Sequence, residues 1–559
     1  MIAYFTMEIA LESSLPTYAG GLGVLAGDTI RAAADLKVPL VAVSLLYRRG
    51  YFRQVFDVGG LQHEEPAVWN PADHRLLALA PRVQVALADR TVTLCAWRFD
   101  VLGATGGVVP VYLLDADLPE NAPADRGLTA ELYGGDATNR LVQETLLGPG
   151  GVAMLKALGH TKIETYHMNE GHAALIAAAL LAVEAARGTP REARVAAVRR
   201  QCVFTTHTPV PAGHDRFPRA LVEKVLTSED VAALAAFGQT DELHTTKLAL
   251  ACSRFANGVA LKHGEVSRAM FPDAAIESIT NGVHVGTWAA PSTQRLFDRH
   301  APGWRWDSAM LRNLLAATDD EVWSTHMEAK EELVRLVNAR GGARFDRDAL
   351  TLVWARRATA YKRPDLLFET PERLRAMARY IGPIQIACAG KAHPRDEEGK
   401  NLIRRIKDVA KELEGKVPVV FLENYDMDVA RVLCSGSDVW VNTPRPPLEA
   451  SGTSGMKAAV SGVPSLSVRD GWWIEGHLEH MTGWAVGEYV ASAESPDQDK
   501  RVAHALYEKL SKVVLPCYFK DRAEYIAIMR NAMAWNGSFF NTHRMVQQYV
   551  GHAWLPARS

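Results

Sequence analysis

Five short apolar runs in the second half of the chain limit its fold more than any other feature. They are LTLVWA (350–355), IQIACAG (384–390), VPVVFLE (417–423), DVWVN (438–442) and SLSV (465–468). Each is too short for a typical helix, and most are rich in β-branched residues, so they read as buried strands. Helical patterns lie between them. Strand and helix in regular alternation is the βαβ pattern of a doubly wound parallel sheet. The first half opens in the same way. Ile2 to Thr6 reads as a strand, Gly20, Gly21 and Gly23 form a loop, Leu25 to Leu36 is an amphipathic helix, and VPLVAVSLLY is a second strand. A chain of 559 residues exceeds the ~250–300 residues that one core can serve, so two large domains are expected. The expected division is an α/β, Rossmann-like domain over 1–290, a second over 291–540, and a helix over 541–559 that braces the first domain.

Hydrophobic residues make up 48% of the chain and charged residues 23%, which describes a soluble globular protein. A net charge of −2 gives no reason to expect a nucleic-acid partner or an anionic membrane. The cysteines, at 95, 202, 252, 388, 434 and 517, are scattered without a CxxC pair. That argues against a disulfide framework and a structural zinc site, and fits a reducing cytoplasm. The N-terminus is acidic where a signal peptide is basic, and the richest apolar stretch, Val38 to Tyr47, is too short to span a bilayer. A cytoplasmic protein is expected.

Several stretches carry chemistry. PLEASGTSGMKAAVSGVP (447–464) reads as a loop, Glu449 to Ser454, feeding a helix whose first turn or so carries Lys457. Amides at a helix start attract anions, and the same positive end disfavours a proton on a nearby lysine. A lysine poised to lose its proton suits Schiff-base chemistry with pyridoxal phosphate, although an ordinary turn explains the pattern as well. The loop at Gly20, Gly21 and Gly23 can cradle phosphate or pack tightly on a sheet. In IETYHMNEGHAAL a strand ends at Tyr166, a turn spans His167 to Gly171, and His172 begins a helix. Its histidines lack the i, i+4 spacing of a zinc helix, so no metal is expected. CVFTTHTP is a strand ending at His207, where a parallel sheet presents ligand contacts or merely caps a strand. Thr138 to Leu158 is helical with a break or kink at Pro149, and Thr245 to Met270 is helical. MEAKEELVRLVNARGG is a helix ending at its paired glycines. The strand at 350–355 runs into RRATAYKRP, where Arg356, Arg357, Lys362 and Arg363 cluster at an expected crevice. Trp472 and Trp473 either stack sugar or fill the core.

Taken in order, these stretches resemble the α-glucan phosphorylases of glycogen, starch and maltodextrin over nearly the whole chain. The resemblance implies two Rossmann-like domains facing across a deep cleft, the glycogen phosphorylase (GT-B) fold, with Lys457 as the attachment point of pyridoxal 5'-phosphate. It places Arg357 and Lys362 on phosphate, and His207 beneath the glucosyl ring. Tyr425, Arg356, Gly455 and Gly23 fall by the cofactor. Glu449 and Asn281 hold sugar hydroxyls, with Ala450, Ser451, Gly452, Thr453, Gly20 and Gly21 nearby. The implied reaction is retaining phosphorolysis of terminal α-1,4-glucosyl units. Its partners are an α-1,4-glucan (glycogen or maltodextrin), inorganic phosphate and glucose 1-phosphate, and a homodimer is expected. No pair of carboxylates is evident for hydrolysis. The related nucleotide-sugar-dependent α-glucan synthases carry a lysine where Tyr18 stands, two residues before Gly20. A synthase and a non-catalytic glucan-binding protein are the alternatives. Thr359 and Ala360 replace a His-Glu pair of the large regulated enzymes, which alters support around the phosphate. The chain also lacks their N-terminal regulatory extension, so phosphorylation and nucleotide control are not expected.

Overall fold

The computed structural model describes residues 1–340, 342–488 and 496–555. Gly341, one of the two glycines expected to end the helix Asp319–Arg340, lies outside them, as do 556–559 of the expected C-terminal segment. The chain divides into two compact units. One comprises Met1–Phe52, Pro66–Thr280 and Met545–Ser559, and the other Arg53–Glu65 and Asn281–Arg544.

The first unit is built on one large sheet. From one edge its strands are Glu277–Ser278, Phe255–Gly258, Cys202–Thr205, Thr165–Asn169, Ile2–Thr6, Leu40–Leu45 and Val108–Asp115, all parallel. Thr91–Leu102 then adds antiparallel, and Leu77–Ala78 pairs antiparallel with it. Ile2–Thr6, Leu40–Leu45 and Thr165–Asn169 are buried along their whole length, as strands of a sheet covered on both faces are. The chain starts mid-sheet at Ile2, builds out one way to Val108–Asp115, then returns to Thr165 beside Ile2 and builds out the other way. The strand order therefore reverses between Ile2–Thr6 and Thr165–Asn169, and the crevice beyond their C-terminal ends is where such sheets bind ligands.

Local readings fail here where tertiary packing overrides them. Thr245–Met270 is two helices, Thr245–Cys252 and Leu261–Met270, because Phe255–Gly258 between them is taken up by the sheet edge beside Cys202–Thr205. The helix Ala137–Ala157 runs through Pro149 without the expected break. The glycines beside the proline press the helix onto its neighbours. A Cβ at Gly151 would lie 2.5 Å from Phe5, and one at Gly148 would lie 2.8 Å from the Ile176 amide. That contact outweighs one lost backbone hydrogen bond. The expected strand end at Tyr166 falls at Asn169. The C-terminal segment supplies Trp554, whose indole donates to His167 Nδ1 at 2.9 Å, and Tyr549, whose ring stacks on Trp554.

The second unit has a six-stranded, all-parallel sheet in the order Val419–Leu422, Ile384–Ala389, Leu350–Ala355, Val439–Asn442, Ser465–Ser467, Gly483–Ala485. It too starts in the middle, so its order reverses between Leu350–Ala355 and Val439–Asn442. The hairpin Arg53–Phe56 with Gln62–Glu65 belongs to this unit. Gln54 donates to the Gly390 carbonyl and Gln62 to that of Ala392, both at 2.9 Å. Trp472 and Trp473 are buried in the core, 1% and 0% exposed, so neither offers a face to sugar. Among the described residues no helix is long and apolar enough to cross a membrane, and all six cysteines are buried thiols.

Candidate active site

The second unit's strand reversal gathers a charged cluster. Leu350–Ala355 delivers Arg356 and Val439–Asn442 delivers Asn442, so the two side chains meet because their strands are neighbours. Arg356 donates to Asn442 Oδ1 through Nη1 and to Glu449 Oε2 through Nη2. Lys362 Nζ lies 3.6 Å from Glu449 Oε1. Glu449 is held from behind, its amide donating to Asp470 Oδ2 at 2.8 Å, while Gly471 N donates to Asp470 Oδ1 at 2.9 Å. Arg356, Lys362 and Glu449 are all buried.

Burial sets the electrostatics. It lowers the Lys362 ammonium to about 7, helped by Arg356 and opposed by Glu449. Burial also pushes Glu449 up, but Arg356 and Lys362 outweigh it and hold the carboxylate below its usual range. Asp470 has no such cation pair, so burial takes it up to about 7. Arg357 is exposed and lies close enough for its charge to act on Lys362 and Glu449. Three cations therefore surround one carboxylate. Arg356 Nε and Ser451 Oγ are buried without hydrogen-bond partners. Excess positive charge and orphaned donors fit a phosphate-bearing group.

The lysine segment departs from the sequence reading in one respect. Its helix, Thr453–Val460, starts after Gly452, which adopts φ +84° and serves as N-cap in place of Ser451, Thr453 or Ser454. Lys457 therefore sits in the last turn of this short helix, where the amide dipoles do not act on it as they would in the first. It is buried, with Nζ 4.0 Å from the Trp288 ring centroid. Gly455 is required by packing, since a Cβ there would lie 2.8 Å from the Trp472 indole. The Ser451 carbonyl accepts from Trp472 N at 2.8 Å, while Ala450 and Thr453 are half-buried. Tyr425 packs partly buried on the core beneath the sheet. Asn281 is 3% exposed with Oδ1 unpartnered, and its carbonyl accepts from Arg544.

In the first unit, the glycine loop folds around Glu8, which follows the first strand. Glu8 Oε2 accepts from Ala19 N at 2.7 Å and Gly20 N at 3.1 Å, and Oε1 accepts from Tyr133 at 2.9 Å. A Cβ on Gly23 would stand 2.7 Å from Glu8 Oε2, whereas Gly21 faces open space. The helix Gly21–Asp35 thus begins against a carboxylate of this same chain. His207 donates from Nε2 to Asn169 Oδ1 at 2.7 Å. Its amide donates to Glu170 Oε2 at 2.7 Å. Burial, and then the neighbouring histidines, lower the His207 imidazole to about 3. Glu170, at φ +74°, is the pivot of the turn. Sequence reasoning missed Asn442, Asp470, Glu8, Asn169 and Glu170 as site residues. Asn169 and Glu170 stood in the singled-out stretch IETYHMNEGHAAL, Asn442 ended the strand run DVWVN, and Asp470 lies two residues before Trp472.

Doubly wound parallel sheets, with polar side chains gathered at each strand reversal, define the architecture of GT-B glycosyltransferases. A family model described as carbohydrate phosphorylase matches residues 227–514. The chain is 38% identical to a maltodextrin phosphorylase of Thermococcus litoralis, over 98% of this chain and 70% of that one. It is 37% identical to a glycogen phosphorylase of Mycobacterium tuberculosis, over 100% and 71%. A glycogen phosphorylase of Aquifex aeolicus is 33% identical over 98% and 85%. The chain belongs to the carbohydrate phosphorylase family. It is accordingly an enzyme of the glycosyltransferase class.

Proposed function

We propose that the protein transfers terminal α-1,4-linked glucosyl units of maltodextrin or glycogen to inorganic phosphate, releasing glucose 1-phosphate with retained configuration. The observation that carries this reading is the buried Arg356–Glu449–Lys362 cluster at a strand reversal, in a member of this family. Arg357 and Lys362 are the cations that hold the substrate phosphate. With its ammonium near 7, Lys362 keeps or yields a proton at little cost around neutral pH, and a bound dianion favours the charged form. Glu449, fixed by its own amide on Asp470, presents an ionised carboxylate to sugar hydroxyls. In the first unit, the neutral His207 ring is held by Asn169.

The residues fit pyridoxal phosphate. Lys457 would carry it, and Arg356, with its unpartnered Nε, and the buried hydroxyl of Ser451 would help hold its phosphate. Bound there, the cofactor supplies a second phosphate group for proton delivery. Tyr18, in place of a lysine, speaks against a nucleotide-sugar donor, and six buried thiols support a reducing, cytoplasmic setting. The test incubates pure protein with maltodextrin and inorganic phosphate and records glucose 1-phosphate together with the near-ultraviolet spectrum. Phosphate-dependent release and a pyridoxal band are expected. Protein that binds maltodextrin yet releases no glucose 1-phosphate overturns the reading.

A further inference from the structure

The hairpin Arg53–Glu65 belongs to the second unit although it comes from the N-terminal part of the chain, and it carries two buried glutamines. Gln54 and Gln62 are 0% and 1% exposed. Their side chains bond each other, Gln54 Nε2 donating to Gln62 Oε1 at 2.9 Å. Gln62 grips Ala392 at two points, since its Nε2 donates to the Ala392 carbonyl and its Oε1 accepts from the Ala392 amide at 3.0 Å. The second hydrogen of Gln54 Nε2 goes to the Gly390 carbonyl, and that of Gln62 Nε2 to Glu64 Oε1 at 2.7 Å. Asn424 grips the Gln54 backbone in the same two-point way. Its Oδ1 accepts from Gln54 N at 2.7 Å, and its Nδ2 donates to the Gln54 carbonyl at 3.0 Å. Asn424 N completes the set by donating to Gln54 Oε1 at 3.2 Å.

The loop held in this way touches the phosphate site. Gly390 and Ala392 follow the strand Ile384–Ala389, which pairs with Leu350–Ala355, the strand that ends at Arg356. Arg356 N donates to the Ala389 carbonyl at 3.0 Å, and Ala358 N to the Lys391 carbonyl at 3.1 Å. Gly390 adopts φ +147°, and a Cβ there would collide with the Arg356 carbonyl. Residues 356–358 and 390–392 therefore lie backbone against backbone, and whatever fixes the second stretch fixes the first. Arg357 is carried between the two bonded positions, Arg356 and Ala358. A hairpin that only filled space would do so with apolar side chains, because burying two amides costs desolvation that their pairing merely offsets. What the amides add is position. Apolar faces slide over one another, whereas a fully paired buried amide network fixes distance and angle.

We propose that Gln54 and Gln62 are positioning residues of the substrate-phosphate site, which act through Gly390 and Ala392 on the backbone that carries Arg356 and Arg357. This rests on the phosphorylase reading and deepens it.

Three variants, assayed as cofactor-loaded enzymes, test it. Gln62→Met keeps the length of the side chain but leaves both polar groups of Ala392 unpaired. Asn424→Gly removes two bonds to Gln54 at a residue with φ +53°, which glycine adopts freely, so it gives folded protein even if Gln62→Met does not. Phe56→Leu thins the apolar packing of the same hairpin on Ala358 and Ala392 and leaves the amides in place. The Michaelis constant for phosphate should rise about tenfold in Gln62→Met and about threefold in Asn424→Gly, short of the ~100-fold that a misplacement of ~1 Å can cost. The constant for maltodextrin should move less than about twofold, because Glu449 is held separately by Asp470. Phe56→Leu should lower the melting temperature and leave the phosphate constant where it was. Calorimetric titration with inorganic phosphate reads the same placement without turnover. Unchanged phosphate constants in Gln62→Met and Asn424→Gly, in a wild type that does release glucose 1-phosphate, would overturn the positioning role and leave the functional reading intact. Equal rises for phosphate and maltodextrin, or a rise in Phe56→Leu matching that of Gln62→Met, would overturn it too. A wild type that releases no glucose 1-phosphate, but whose phosphate affinity falls in Gln62→Met, fails the functional reading while the positioning role stands.

Discussion

Arg356 Nη2 stands 2.5 Å from Glu449 Oε2, and neither side chain is more than 7% exposed. The pair joins the residue just after one central strand to a loop that follows its neighbour. It ties a buried cation to a buried carboxylate. Removing one partner of a buried pair leaves the other charge uncompensated, which typically costs about 3–5 kcal/mol.

Glu449→Gln should therefore destabilise protein stripped of cofactor by about 3 kcal/mol in urea unfolding. A saturating phosphate-bearing ligand should shrink the loss, because its anion replaces the missing carboxylate beside Arg356 and Lys362. An equal loss with and without ligand would show that these cations do not face the phosphate site.

Lys457 is buried over Trp288, so Lys457→Met exchanges a cation–π contact for apolar packing and relieves a desolvated charge. Unfolding free energy should move by less than about 2 kcal/mol in either direction. Cofactor loading, followed as a covalent mass increment after borohydride reduction, should vanish. A retained increment would assign the attachment to another lysine.

Gly455→Ala places a methyl group 2.8 Å from an indole that is itself fully buried and cannot retreat. Overpacking of this kind costs about 1–3 kcal/mol, and here it should also displace the Lys457 helix. A lower melting temperature together with weaker pyridoxal phosphate binding is the expected pair of results. A lower melting temperature with unaltered binding would restrict Gly455 to packing.

Acid should unfold the first unit through its histidines. Burial lowers His167 and His207 to about 3, and His172, His214, His244 and His263 to about 4. Unfolded histidines titrate near ~6.5, so between about pH 6.5 and 4 the unfolded chain binds more protons than the folded one. The stability from keeping these rings neutral is present above about pH 6.5 and drains away as pH falls. Unfolding at pH 5 should take up several protons, measurable by calorimetry in buffers of different ionisation enthalpy. Uptake near zero would refute the buried neutral state.

Much of the second unit was readable in advance because its parallel strands are covered on both faces, which forces apolar runs that stand out in a sequence. The basic stretch from Arg356 to Arg363 and the segment around Lys457 were legible for a related reason, as each directly follows a strand or a glycine. The helix start at Thr453 was not. Ser451, Thr453 and Ser454 are all good local caps, and the choice of Gly452 depends on Glu449 and Trp472 packing against it.

The sequence by itself determined that two α/β units would form, where five of the second unit's strands would run, and that a basic, glycine-rich set would line one strand reversal. These follow from periodicity, apolar length and turn residues, which act over a few positions. Tertiary structure alone decided which charges are buried and which partners they meet. It set Arg356 on Glu449 and Asn442 and carried a helix on past Pro149 without a break. Burial and pairing are sums over neighbours from distant segments, and no local pattern records those sums.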